Sequence, residues 1–131
     1  DLCSKMPEPL DIDVEKRPWP ITSELSSLIK GIVCINMIHV SPWSCTEALF
    51  EESKNYLSKN QFLMLYGPFL RKDEQTSESN LNFDKSLKLQ NPHWGLRHLE
   101  RVHEMAIKNG FEQYKIFEMP TNNLSVIYSL N

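Results

Sequence analysis

Glycine is scarce in this chain: Gly31, Gly67, Gly95 and Gly110 are the only four in 131 residues, and no two lie closer than fifteen positions. They cannot assemble a G-x-G-x-x-G or a P-loop, which excludes a glycine-rich, phosphate-cradling turn from this sequence. Cysteine is scarce too. Cys3, Cys34 and Cys45 are odd in number and lack C-x-x-C spacing, so a disulfide framework is not expected and Cys34 reads as a small core hydrophobe. Basic residues never run beyond two, and the formal net charge of −3 gives no electrostatic case for nucleic acid or an anionic membrane. No apolar run reaches membrane-spanning length and no signal peptide is visible. These absences make a soluble protein of the cytoplasm or nucleus the expectation, with no membrane and no nucleic acid among its partners.

What is present is ordinary in amount and informative in arrangement. Hydrophobic residues at 40% and charged residues at 24% are globular values, and the length suits one domain with a real core. The run Ile32-Val33-Cys34-Ile35-Asn36-Met37-Ile38-His39-Val40-Ser41-Pro42-Trp43 starts apolar and β-branched, then breaks into polar residues just before a helix start. In an α/β protein this is a buried parallel strand handing its carboxyl end to a loop, where open sheets bind ligands. Asn36, His39 and Ser41 fall there. The first residue is Asp1 rather than Met, which suggests a processed, trimmed or partial chain.

Residues 1–8 read as a flexible lead-in and 9–131 as the domain. Pro9 to Val14 alternates apolar and polar, as a short strand does. Ser23 to Ser27 suits a turn of helix before a strand over about 31–38. Ser41-Pro42, with Ser44 and Glu47 as a capping box, predicts a helix over about 43–58. Gln61 to Tyr66 is a second buried strand ended by Gly67-Pro68. A loop then leads to a helix over about 80–89. Asn91-Pro92 starts another helix, whose apolar positions Leu96, Leu99, Val102 and Ala106 run to a C-cap at Gly110. Phe111 to Met119 and Leu124 to Leu130 are the last strands, joined by Pro120-Thr121-Asn122-Asn123 tightly enough to pair antiparallel. The fold class expected is α/β, with an antiparallel pair closing the sheet.

The segments CINMIHVSPWSCTEALF (34–50), LYGPF (65–69), SNLNFDKSL (79–87), NPHWGLR (91–97) and EMPTNNLS (118–125), in that order, resemble the methyltransferase-like twenty-six proteins. These are small class I S-adenosylmethionine-dependent methyltransferase relatives of bacteria and animals, mostly without an assigned substrate. The resemblance covers roughly residues 9–131. It implies a Rossmann-like class I sheet whose last strand inserts antiparallel, with this chain as its C-terminal portion. PLDIDV (9–14) would be the third strand, with Asp13 near the cofactor's adenine. Asn36 and Met37 would lie beside the methionyl end, and Tyr66, Gly67 and Pro68 near the substrate. The N-terminal portion, with its glycine-rich cofactor loop and ribose-binding acid, has no counterpart here. Without them the cofactor has about half a site, and this chain alone is expected to be inactive.

Each candidate has a chemical reason and a plainer alternative. Asn36 can orient an amine or carboxylate through its amide, or satisfy the backbone at the strand break. His39 titrates near neutrality and suits a general base; the alternative is a His packed with one nitrogen on backbone. Tyr66, Gly67 and Pro68 can line a substrate pocket or form a sharp turn. Arg97 can hold a substrate carboxylate or pair with Asp84. Asp11 and Asp13 share a face of the expected strand. His93, His98 and His103 recur every five residues, off a common helix face, so no metal site is expected. For the parent protein the reading is a methyltransferase of unknown substrate, with His39 and Tyr66 catalytic. Asp13, Asn36 and Met37 would bind S-adenosylmethionine, and Ser41, Gly67, Pro68 and Arg97 the substrate. The rival is a non-catalytic interaction module, forming a homodimer or joining a partner chain through an exposed sheet edge near residues 32–38.

Overall fold

The computed structural model describes residues 2–131. One mixed sheet of four strands organises it: β1 (Gly31–Ile35), β2 (Phe62–Gly67), β3 (Gln113–Met119) and β4 (Asn123–Ser129), in the spatial order β1-β2-β4-β3. β1 and β2 run parallel, with α2 (Trp43–Ser53) as their crossover. β4 lies antiparallel between β2 and β3, so the C-terminal pair closes the sheet as the sequence suggested. α1 (Ser23–Ser26) precedes β1, while α3 (Glu78–Gln90) and α4 (Leu99–Lys108) link β2 to β3.

Alternation decides which face is buried. Leu63 and Leu65 of β2 sit opposite Tyr128 and Val126 of β4, and all four are at most 1% exposed. Against them pack Leu49 and Phe50 of α2, Leu99, Val102 and Ala106 of α4, and Phe111. The ring of Phe50 meets Phe111 and Tyr128 edge-on, at centroid distances of 5.7 and 5.4 Å. The opposite face is thinly covered. Val33 and Ile35 on β1 are 52% and 60% exposed, and Phe62 and Phe117 also meet solvent.

Several expected elements differ from those observed. Pro9–Val14 is not a strand: the Asp13 carboxylate accepts from the Glu15 amide at 3.1 Å, and the Asp13 carbonyl from the Lys16 amide at 3.0 Å. With no neighbouring ladder to join, the segment turns there, so Asp11 and Asp13 share no strand face. Within the expected lead-in, Leu2–Lys5 forms a 3-10 turn, and Asp1 lies outside the described residues. β1 stops at Ile35 because Asn36 adopts a φ of 53°. The expected capping box at Ser44 and Glu47 does not form: Pro42 is the N-cap of α2, without a side-chain cap. α2 itself ends at Ser53 rather than near 58.

The helix expected from Asn91 begins at Leu99 instead. The Asn91 side chain captures the His93 amide at 2.9 Å, and Asp84 captures the Leu96 amide at 2.8 Å. Leu70 then holds the chain extended: its amide donates to Arg97 at 3.0 Å, and its carbonyl accepts from Leu99 at 2.8 Å. Gly95 permits this close approach, since a Cβ there would lie 2.9 Å from the Asp84 carboxylate.

Candidate functional site

The parallel pair ends where the chain must turn out of the sheet. The Asn36 amide continues the ladder by donating to the Tyr66 carbonyl at 2.9 Å, and the positive φ of Asn36 then redirects the backbone. The next residues fold back on Met37, whose carbonyl accepts from the Val40 amide at 3.0 Å and the Ser41 hydroxyl at 2.8 Å. This tight loop presents His39, only 3% exposed, beside the end of β2. There Gly67 has a φ of 156°, and an added Cβ would lie 3.1 Å from His39 Cε1 and 3.3 Å from Asn36 Oδ1. Glycine leaves the space next to the imidazole and the amide open.

The far wall comes from the antiparallel pair. Because β4 runs against β2, Gly67 is in register with Leu124, and the β3–β4 turn arrives at the same end of the sheet. Thr121 and Asn122 both have positive φ, near 60°. The N-terminal residues of α3 hold that turn: the Asn80 side chain donates to the Asn122 carbonyl at 3.1 Å, and the Asn122 side chain to the Ser79 hydroxyl at 3.4 Å. Between these walls lies an open cleft of about 700 Å³, lined among others by Asn36, His39, Pro68, Asn80, Phe83 and Asn123. That size suits a small-molecule ligand. A smaller cavity of about 250 Å³ adjoins it, sharing Asn80, Asn122 and Asn123.

His39 is the chemically capable group of the cleft. Its ring meets Phe83 edge-on at 5.7 Å, and neither ring nitrogen has a hydrogen-bond partner among the described residues. Burial, and secondarily the positive charge of Arg97, holds its pKa below the ordinary value. The imidazole is therefore neutral near pH 7, with a lone pair free to accept a proton. The thiols of Cys34 and Cys45 are pushed up to about 11, chiefly by burial, which makes them inert as nucleophiles. Among the described residues no group of three or more His, Cys, Asp or Glu could hold a metal ion, and no helix is long and apolar enough to cross a membrane.

The structure brings Asn36, His39, Gly67 and Pro68 together at the cleft. Tyr66 stands behind the wall, its hydroxyl accepting from the Asn123 side chain at 3.3 Å. Met37 is half-buried against the core, and Ser41 is engaged with Met37 in the loop. Asp13 lies in a separate turn and lines neither cavity. Arg97 donates to the backbone carbonyls of Ile38 (3.1 Å), Ser41 (2.7 Å) and His93 (2.9 Å). Its Asp84 pair does not form, since Asp84 takes Lys88 at 2.7 Å and the Leu96 amide. Phe83 and the amide wall were not singled out as site residues. Their signal was weak but real: Ser79, Asn80 and Phe83 fall at helical spacing on one face of α3.

Comparison with solved structures identifies the architecture. Human N-acetylserotonin methyltransferase, solved in complex with S-adenosylmethionine, matches with a TM-score of 0.73 at 13% identity, over 91% of this chain and 32% of that one. The pyocyanin biosynthetic protein PhzM matches with a TM-score of 0.68 at 12% identity, over 91% and 33%. PigF, solved with S-adenosylhomocysteine, gives 0.66 at 9% identity, over 78% and 34%. The chain thus spans about a third of the length of these neighbours and has the α/β fold of a partial methyltransferase-like sheet with antiparallel C-terminal strands. By sequence, a family model described as a protein of unknown function (DUF938) matches residues 2–130, and the chain belongs to that family.

Proposed function

We propose that this chain forms the acceptor side of an S-adenosylmethionine-dependent methyltransferase akin to the methyltransferase-like twenty-six proteins. One observation carries the reading: a buried imidazole with no hydrogen-bond partner among the described residues faces a cleft at the carboxyl end of a parallel strand pair, and Gly67 keeps that cleft open. Neighbours of the same fold, solved with S-adenosylmethionine or S-adenosylhomocysteine, support it.

When bound, S-adenosylmethionine supplies the methyl group. The residues present fit part of such a cofactor: the Asn36 amide has no side-chain partner among the described residues and faces the cleft, with Met37 next to it. No glycine-rich turn occurs in the sequence, so the chain offers only part of the cofactor site. On the acceptor side His39 takes the proton of a hydroxyl group, while Gly67 and Pro68 border the substrate and Tyr66 holds Asn123 from behind. Ser41 and Arg97 fix the loop that carries His39. Holding the acceptor in place supplies most of the acceleration.

Isothermal titration of this chain with S-adenosylhomocysteine tests the reading. The expected result is weak but saturable binding, abolished in Asn36→Leu. A folded chain that binds nothing would overturn it.

A second reading has its own support. Among the described residues β1 pairs with β2 alone, and Val33 and Ile35 are more than half exposed on it. An unpaired apolar edge of this kind can take a strand from a second copy of the chain, making a non-catalytic interaction module. Sizing chromatography over a range of concentrations distinguishes a dimer from a monomer.

A further inference from the structure

Building on the acceptor-site reading, we infer that the cleft takes an electrically neutral, hydrogen-bond-donating acceptor, gripped by asparagine amides, and prefers it to an anion, for which it holds no countercharge. The lining contains no carboxylate, ammonium or guanidinium. Its polar groups are the amides of Asn36, Asn80, Asn122 and Asn123, the hydroxyls of Ser79 and Thr121, and His39.

The amides are not equivalent at their two ends. Asn80, Asn122 and Asn123 spend NH₂ donors within the wall, on the Asn122 carbonyl, the Ser79 hydroxyl and the Tyr66 hydroxyl respectively. Their side-chain oxygens have no donor among the described residues. The wall therefore offers acceptors, and a ligand completes it with N–H or O–H groups. The donors left over, a second N–H on Asn80 and on Asn122 and the Asn36 amide, are all neutral, so an anion gives up its hydration without meeting a countercharge.

Nearby charges do not alter this. Arg97 is committed to three carbonyls and lies outside the lining. Arg71, in the adjoining cavity, already has Glu74 at 3.0 Å and Glu118 at 3.6 Å. The N-terminus of α3 is capped by Ser77, which accepts from the Asn80 amide at 3.2 Å, and Glu78 places a negative charge in its first turn. That helix end is no open seat for an anion. Apolar contact comes from Val40, Pro68 and Phe83, so a flat ring with a donor-bearing edge matches the cleft.

The probes are 4-hydroxybenzamide and 4-hydroxybenzoate, which share a phenol and differ in charge. Titration of each into isotope-labelled chain, without cofactor, is followed through backbone amide signals. The neutral probe is expected to shift Asn36, His39, Asn80 and Asn123, and to bind at least about tenfold more tightly than the anion. Ser79→Lys, which adds a cation at the rim, is expected to narrow or invert that ratio, with unchanged signal dispersion reporting that the chain is folded. Equal or tighter binding of the benzoate by the unaltered chain, or no binding of the benzamide, would overturn the inference. Cofactor binding is read separately with S-adenosylhomocysteine, so failure of this inference and failure of the methyltransferase reading remain distinct.

Discussion

Three backbone carbonyls share the guanidinium of Arg97, and two of them, those of Ile38 and Ser41, belong to the loop that carries His39. The side chain also lies over the Trp43 ring at 5.8 Å, which Arg101 approaches at 3.9 Å. Arg97→Lys keeps the charge but cannot reproduce the planar fork, and is expected to cost about 1–3 kcal/mol in urea unfolding. Gly67→Ala brings a methyl against His39 and Asn36 and should reduce S-adenosylhomocysteine binding while the chain remains folded. Thr46 is fully buried and its hydroxyl has no partner among the described residues, so Thr46→Val is expected to raise the thermal midpoint.

Titration follows from the same residues. Burial lowers the pKa of His39 and of His103, so the unfolded chain takes up these protons at higher pH than the folded chain does. Their contribution to stability is full above the unfolded value of about 6.5 and is lost as pH falls through it toward the folded values. Urea midpoints are expected to be lower at about pH 5.5 than at about pH 7.5, with the difference reduced in His39→Gln.

At the scale of elements, the sheet was legible where burial governs pattern. β2 is a short apolar run that buries Leu63 and Leu65, and the final strands declare themselves through the turn between them. β1, expected to be buried, is a strand whose Ile32 and Cys34 are only half-buried and whose Val33 and Ile35 are exposed, because nothing among the described residues packs on that face. The helix over Leu99–Lys108 was legible from Leu99, Val102 and Ala106, which all face the core. Its start was not, because the Asp84 carboxylate, twelve residues upstream of Leu96, holds the preceding chain out of the helix. Local capping rules cannot see such a partner. Pro9–Val14 failed for the complementary reason: alternation permits a strand, but only a neighbouring ladder makes one. Phe50, wedged between Phe111 and Tyr128, joins α2 to the sheet. Phe50→Ala is expected to destabilise by about 3–5 kcal/mol, measured by chemical denaturation.

On the scale of the whole molecule, one sheet face is packed and the other is partly bare. If the bare face and the β1 edge drive self-association, Ile35→Lys should move the chain to the monomer position in sizing chromatography while leaving its circular dichroism unchanged. The candidate site was half legible at this scale. Asn36 and His39 announced themselves at a strand end, whereas Asn80, Phe83 and Asn123 become neighbours only because β4 runs back against β2. That antiparallel insertion has a practical corollary. Ser129 pairs with Phe62, the first residue of β2, so the residues just after β4 lie at the rim opposite the cleft. A dye, tag or sensor surface attached through Asn131 would leave the mouth of the cleft facing solution, whereas a label in the turn at Thr121 would sit in its doorway.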